Sequence, residues 1–420
     1  KSKYLLEFNG RYDGSSKFPQ TQRFGFFPSA SAGWRISEEG FMKGTRNWLD
    51  EFKVRGSYGS LGNGQIGSYR YVEQIRATLS PNILKGVFPI YIQQPVVIPD
   101  RLTWEKSTTF DIGVDVSILS RRLNLSFDWY NRKTTDMITT GQPLPAVFGA
   151  AVPVGNYADL STKGFDASLQ WSDQIKARKP IQYSIRFIMS DNVSHITKYY
   201  NPNNLISTYY VGQRLGDIWG YVNEGFFASQ EDINNHADQS FVIISSGNKL
   251  YPGDIKFKDL NKDGVINKGK STVDDHGDIM IIGNSLPRYT FGFNTSWDWN
   301  NFSLSAFFQG VGKRNWYPSY ESDLFWGQYG RAYAVLPKHT LDHWTEDNPD
   351  GYFPRYRFGT TYPPRQLGTP QTRYLQNVAY VRLKDLTIGY SLPASITGRL
   401  KINAIRFYLS GQNIWTYSPM

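Results

Sequence analysis

Cysteine is absent from all 420 residues. That excludes a disulfide framework, a thiolate metal centre and a cysteine nucleophile. Long hydrophobic runs are missing as well: no stretch approaches the ~18 consecutive apolar residues that a helical membrane span requires. A helical membrane protein is thereby excluded. A membrane β-barrel is not, because its strands alternate lipid-facing and lumen-facing residues and look polar on average. Histidine is scarce, with five residues at His195, His236, His276, His339 and His343. His339 and His343 have the spacing of a HExxH zinc motif, but Thr340 stands where that motif needs a glutamate as general base. No GxSxG elbow occurs. The glycine-rich stretch at 59–64 follows a strand-like segment with no helix after it, which argues against a phosphate loop. Little remains to support catalysis.

What is abundant is aromatic side chain: 28 Tyr, 26 Phe and 12 Trp make 16% of the chain. The net charge of +10 would suit an anionic partner such as nucleic acid, lipopolysaccharide or an acidic ligand. Lys and Arg are dispersed, however, which favours a mixed, solvated surface. With no nucleic-acid-binding motif present, nucleic acid is set aside as a partner.

The strongest local signal is alternation with a period of two. Phe110, Ile112, Val114, Val116 and Ile118 alternate with Asp111, Gly113, Asp115 and Ser117. After a turn near Leu119–Arg122, Leu123, Leu125, Phe127 and Trp129 alternate with Asn124, Ser126 and Asp128, so the two segments read as a hairpin. A second hairpin pairs Tyr289–Trp299 with Phe302–Phe308 across Asn300 and Asn301. Segments 165–171 and 181–187 alternate in the same way, and weaker strands are expected at Tyr4–Tyr12, Pro28–Ile36, Phe52–Ser60, Val381–Tyr390 and Ile405–Leu409. The apolar phase slips at Lys384–Asp385, which predicts a β-bulge.

About eleven long strands result, joined by connections that alternate in length. Short ones are expected near 36–50, 119–122, 172–180, 299–302 and 392–403, and long ones near 62–104, 136–157, 195–287 and 314–377. A soluble sandwich or propeller has no reason to keep every second connection short, whereas an outer-membrane barrel has short periplasmic turns and long outer loops. The fold class expected is therefore all-β, a transmembrane antiparallel β-barrel, with residues 1–420 as one partial barrel domain.

Several stretches resemble the barrel of SusC/RagA-type TonB-dependent transporters of Bacteroidota. They are Arg11–Phe18 (RYDGSSKF), Phe27–Trp34 (FPSASAGW), Lys53–Asn63 (KVRGSYGSLGN), Leu102–Asp115 (LTWEKSTTFDIGVD), Gly253–Ile266 (GDIKFKDLNKDGVI), Asp385–Pro393 (DLTIGYSLP) and Leu409–Ser418 (LSGQNIWTYS). They run in family order along nearly the whole chain. The resemblance implies a barrel of about 22 strands closed by an N-terminal plug, of which this sequence would be the later half, without plug, early strands or final strand. It also implies TonB-dependent uptake of oligosaccharides or peptides, a SusD-like surface lipoprotein as partner, TonB acting through the plug, and residence in the outer membrane among lipopolysaccharide. Alternatives are a siderophore or vitamin receptor, and a structural or secretion-associated barrel that binds protein partners.

Three groups of residues carry candidate chemistry. In the 314–377 segment Trp316, Tyr320, Trp326, Tyr329, Arg331, Tyr333 and Trp344 combine aromatic faces with a guanidinium, suited to stacking on sugars or gripping peptide carboxylates; packing of the loop's own core is the competing reading. A short helix is expected over Pro337–Asn348. Asp259, Asn261, Asp263 and the Val265 carbonyl match the first half of an EF-hand loop and are candidate Ca²⁺ ligands. Lys270 stands where the bidentate glutamate belongs, so a metal-free Asx/Gly turn competes with the ion. Arg11, Arg35, Lys53, Arg55, Arg186, Arg382 and Arg406 fall on the polar phases of their strands and are expected to face the lumen, either pairing with plug carboxylates or lining a hydrated interior.

Overall fold

The computed structural model describes residues 2–420 apart from 74, 94–96, 100, 146, 148, 150–151, 241–248, 320, 332–333, 357–366 and 400. Its frame is one eleven-stranded antiparallel sheet in which each strand pairs with the next in sequence. The strands are β1 (Tyr4–Gly14), β2 (Phe24–Arg35), β3 (Leu49–Asn63), β4 (Glu105–Ile118), β5 (Leu123–Thr140), β6 (Val154–Ile175), β7 (Ile181–Lys198), β8 (Arg288–Trp299), β9 (Phe302–Lys313), β10 (Tyr380–Ser391) and β11 (Arg406–Tyr417). Both expected hairpins form, with Ile118 opposite Leu123 and Trp299 opposite Phe302. Asn300 and Asn301 both have positive φ (46° and 82°), the primed two-residue turn that matches strand twist. The bulge expected at Lys384–Asp385 is present on both sides of β10: pairing skips from Leu383 to Asp385 against β9 and against β11.

The links 119–122, 176–180 and 300–301 are tight, while 64–104, 199–287 and 314–379 are long and sit at the opposite end of the sheet; the links 36–48 and 392–405, expected to be short, are at least as long as 141–153 at the long-connection end. One difference lies at β5 and β6, which run past the expected loop start at 136. Bulges around Met137, with Asp136 at φ 55°, let the pairing continue to Thr140–Val154 after the alternation has broken. A register shift erases the period-two signal without ending the ladder.

The sheet has almost no core of its own. Its apolar face is exposed even on interior strands: Ile112 is 45% exposed, Phe127 41% and Leu169 44%. A soluble sheet buries that face, whereas a transmembrane barrel turns it to lipid. At the tight-turn end this face carries a cross-strand aromatic row, Trp299 opposite Phe302, Phe302 opposite Tyr390 and Tyr390 opposite Phe407, as in an interfacial girdle. The main buried cluster lies instead in the long connections, around Tyr221, Phe257, Ile266, Trp326, Phe353 and Tyr374. A smaller one, Phe18, Ile66 and Leu102 with Trp104 and Ile138, closes the long-connection end above β2 to β5.

Candidate functional site

The connections 199–287 and 314–379 fold together into a single lobe at the long-connection end of the sheet. Short strands Asp217–Tyr221 and Ile279–Asn284 pair within the first, as do Asn223–Phe226 and Ile255–Phe257. The second connection locks onto this frame. The Tyr221 amide donates to the Pro370 carbonyl (2.9 Å), the Asn223 amide to Thr372 Oγ1 (2.9 Å), and Arg355 Nη1 to the Pro252 carbonyl (3.0 Å). Arg373, a residue the sequence did not single out, donates to the carbonyls of Tyr352 and Gly351 and lies 4.3 Å from the centre of the Phe226 ring. Its neighbours come from both connections, so nothing local in the sequence marks it.

This lobe corrects part of the ligand-binding expectation. Trp326 (0% exposed) and Tyr329 (1%) are core residues. Trp326 donates through Nε1 to the Ser319 carbonyl and packs edge-on against Tyr374, while Tyr329 stacks on Phe353 and donates its hydroxyl to the Pro354 carbonyl (2.8 Å). Burial pushes the hydroxyls of Tyr221, Tyr329 and Tyr374 above the usual tyrosine range, keeping them neutral. Trp344 is also buried, its ring over Gly253, where an added Cβ would lie 2.2 Å from the indole, and beside the Arg355 guanidinium. The aromatic density of this segment therefore serves largely to build the lobe. Trp316 stays partly exposed, edge-on to Phe325, and Arg331 is exposed with Asp323 as partner at 3.5 Å. Tyr320 and Tyr333 lie outside the described residues. The helix expected over Pro337–Asn348 is a single 3-10 turn, Lys338–Leu341. His339 and His343 consequently bond separate backbone carbonyls, of Phe325 and Leu341.

The acidic loop closes on itself. Asp259 accepts from the amides of Lys262 (2.6 Å) and Gly264 (2.9 Å), and Asp263 accepts from the Val265 amide (2.8 Å) and the Asn261 side chain (2.9 Å). The Val265 carbonyl accepts from Asn267 Nδ2 (3.1 Å). Fully buried Asp278 ties the two ends together, accepting from the amides of Leu260 and Asn267 (both 2.8 Å). Lys270 pairs with Asp275 at 3.6 Å. Among the described residues no three His, Cys, Asp or Glu side chains gather as a metal cluster. Hydrogen bonds within the loop thus order it as an Asx turn.

The seven basic residues on the strands' polar phases all find partners in the sheet and its turns. Arg11 pairs with Asp13 (2.6 Å), Arg35 with Glu38 (3.6 Å) and Lys53 with Asp115 (3.8 Å). Arg186 donates to Ser168, Arg382 to Thr416 and Arg406 to Ser303. Arg55 is the hub: it donates to Asp115 (3.0 Å) and Asp128 (2.7 Å), with Asp111 at 3.9 Å.

Eleven sequential strands, an exposed apolar face and a lobe at one end define a barrel wall, and residues 1–414 match the family model described as TonB dependent receptor-like, beta-barrel. The chain belongs to this family of TonB-dependent receptor barrels. It is 28% identical over 435 residues to TonB-dependent receptor P3 of Formosa agariphila, covering 99% of this chain and 40% of that relative. It is 27% identical over 325 residues to TonB-dependent receptor SusC of Bacteroides thetaiotaomicron, covering 72% of this chain and 29% of the relative. Among solved structures, the RagAB peptide transporter superposes with a TM-score of 0.75 at 21% identity, over 99% of this chain and 42% of that one. The chain thus spans about two fifths of the length of TonB-dependent receptor P3, in keeping with the later-barrel reading. The SusC/RagA-type resemblance and the transmembrane barrel fold are both supported.

Proposed function

We propose that this chain is barrel wall and outer lobe of an outer-membrane transporter that imports oligosaccharides or peptides with energy delivered through TonB. The observation that carries the reading is the SusC-like sequence match on a sheet whose apolar face is exposed and whose two longest connections form one outer lobe. The remaining strands would complete the barrel and an N-terminal plug would close it, with a SusD-like surface lipoprotein covering the lobe end. The chemistry is capture, closure and gated passage; no covalent bond is made or broken. Trp316 and Arg331 are the exposed members of the candidate ligand set and would contact cargo at the mouth. Peptide cargo draws on the RagAB likeness and oligosaccharide cargo on the aromatic composition.

The test uses the full-length protein in its own outer membrane. Uptake of labelled oligosaccharide and peptide pools is measured with and without the gene and with TonB inactivated. Uptake of one pool that needs both supports the reading. Uptake that survives loss of TonB, or loss of the protein without effect on either pool, overturns it.

A further inference from the structure

Above the apolar band, the lipid-facing side of β4, β5 and β6 carries three lysines. Alternation from Ile118 up through Ile112 and Phe110 puts Lys106 on that side, and no bulge interrupts the pairing of β4 with β5 between them. Trp129 and Asn131 lead likewise to Lys133 on β5, and Phe165 leads to Lys163 on β6, again without a register shift. All three lysines are exposed. Among the described residues no carboxylate pairs with them. Glu105 accepts from Asn63 and the Ile138 amide, and Asp191, which shares the face opposite Phe165, is paired with Arg288.

The lysines form one row. Lys133 lies opposite Thr108 and so diagonally from Lys106; Lys163 lies opposite Asn131 and so diagonally from Lys133. Diagonal neighbours are about 7–8 Å apart, so adjacent ammonium groups can grip one phosphate. The row descends by two residues per strand, and the wall descends in the same direction. Leu123 at one tight turn is level with Trp171, four residues before Ile175 at the next. Strand tilt of this kind carries a descending row around the barrel at nearly constant depth.

That depth is set by the aromatics beneath. Phe110 sits edge-on to Trp129, and Phe127 stacks on Phe165, so a continuous apolar floor underlies the row. Lysine heads cannot rest in hydrocarbon, but at the edge of the band their chains can run over apolar surface and place the charge among headgroups. The occupant must therefore be anionic and must be reached from the lipid side. A phosphate on an acylated headgroup meets both conditions, giving charge to the ammonium groups and acyl chains to the aromatic floor.

We propose that Lys106, Lys133 and Lys163 form a binding site for the phosphate of an outer-leaflet glycolipid, lipopolysaccharide, whose acyl chains lie along Phe110, Trp129 and Phe165. The inference rests on the outer-membrane reading above, which supplies the leaflet met by the long-connection end. It adds a lipid site on the wall, apart from lumen and lobe.

Full-length protein carrying Lys106→Gln, Lys133→Gln and Lys163→Gln is purified in mild detergent beside wild type and a control of equal charge loss at the opposite end, Lys176→Gln, Arg178→Gln and Lys179→Gln. Resistance to unfolding in detergent equal to wild type checks that each barrel is assembled. Each is titrated with lipopolysaccharide, the same lipid stripped of phosphate, phosphatidylglycerol and inorganic phosphate, and bound lipid is read by native mass spectrometry. Wild type and control should hold lipopolysaccharide about tenfold or more tightly than the triple variant. The charge-keeping set Lys106→Arg, Lys133→Arg and Lys163→Arg should bind as wild type does, and the stripped lipid should bind all proteins alike. Equal lipopolysaccharide affinity in the triple variant and wild type overturns the proposal. So does displacement by inorganic phosphate at equal concentration, which would mark a free-anion site. Equal lysine-dependent binding of phosphatidylglycerol also overturns it, marking a site for any anionic lipid. Binding in detergent needs neither TonB nor cargo, so a failure of uptake would overturn the transporter reading and leave this result standing.

Discussion

Arg55 on β3 reaches across β4 to donate to Asp128 on β5 (2.7 Å), passing over Gly113. Gly113 lies opposite Arg55 on one side and Asp128 on the other, and a Cβ there would sit 2.3 Å from Asp128 Oδ1 and 2.8 Å from Arg55 Cζ. The missing side chain is what lets two strands that are not neighbours form an ion pair. Gly113→Ala should therefore break the pair or displace the ladder, costing about 1–3 kcal/mol. Arg55→Ala should cost at least as much. It leaves Asp115 and Asp128 without their guanidinium and Asp128 facing Asp166 directly across the β5–β6 ladder, a like-charge pair. Denaturant unfolding of the full-length barrel reads both; stability equal to wild type would show that the pair is dispensable.

In the lobe, Trp326→Ala should cost about 3–5 kcal/mol of lobe stability, the range for deleting a buried indole, whereas Leu324→Ala, at an 89% exposed neighbour, should be nearly neutral. Because Trp326 belongs to a buried cluster drawn from both connections, hydrogen exchange should rise together in 199–287 and 314–379, while β8 and β9 stay protected. Loosening confined to 314–379 would mean that the two connections are not one folding unit.

The same core predicts alkaline sensitivity. The hydroxyls of Tyr221, Tyr329 and Tyr374 are held above the ordinary value of 10.0 by burial. The unfolded chain then releases protons more readily than the folded lobe, so this contribution is complete below pH 10 and declines as pH rises beyond it. Tyrosinate absorbance should lag in the folded lobe and appear cooperatively with its unfolding. Smooth titration near pH 10 with the lobe intact would contradict the assigned burial.

At the turn between β2 and β3 the effect runs the other way. Hydrogen bonds from the Tyr4 hydroxyl, the Lys3 ammonium and Trp34 Nε1 lower Glu39 from 4.5 to about 2. Its folded pKa is depressed, so the stabilisation is present above 4.5 and is lost as pH falls through about 2. Trp34 fluorescence in wild type, compared with Glu39→Gln, should show a transition near pH 2. A midpoint near 4.5 would mean the three donors do not hold the carboxylate.

For the acidic loop, Asp263→Ala removes the acceptors for the Val265 amide and the Asn261 side chain. Local exchange protection over 259–267 should fall, and a Ca²⁺ chelator should leave wild-type protection unchanged. A chelator-dependent loss in wild type would restore the ion as a structural ligand.

Residue order specifies the strands, because a sheet with two different faces writes its period directly into it. Phe110–Ile118 against Leu123–Trp129, the paired asparagines at 300–301 and the slip at Lys384 all carried to the structure. It also determined the polar phase of Arg55, since that follows from counting residues along β3. Which groups meet across long intervals is set by the packed fold and not by local order. The partners of Arg55 lie 60 and 73 residues away, and Trp326 is buried by a core drawn from two connections separated by β8 and β9. Aromatic composition is the same for a ligand platform and for a packed core. Direction separates the two, and direction in an irregular connection is set by what packs against it rather than by any local period.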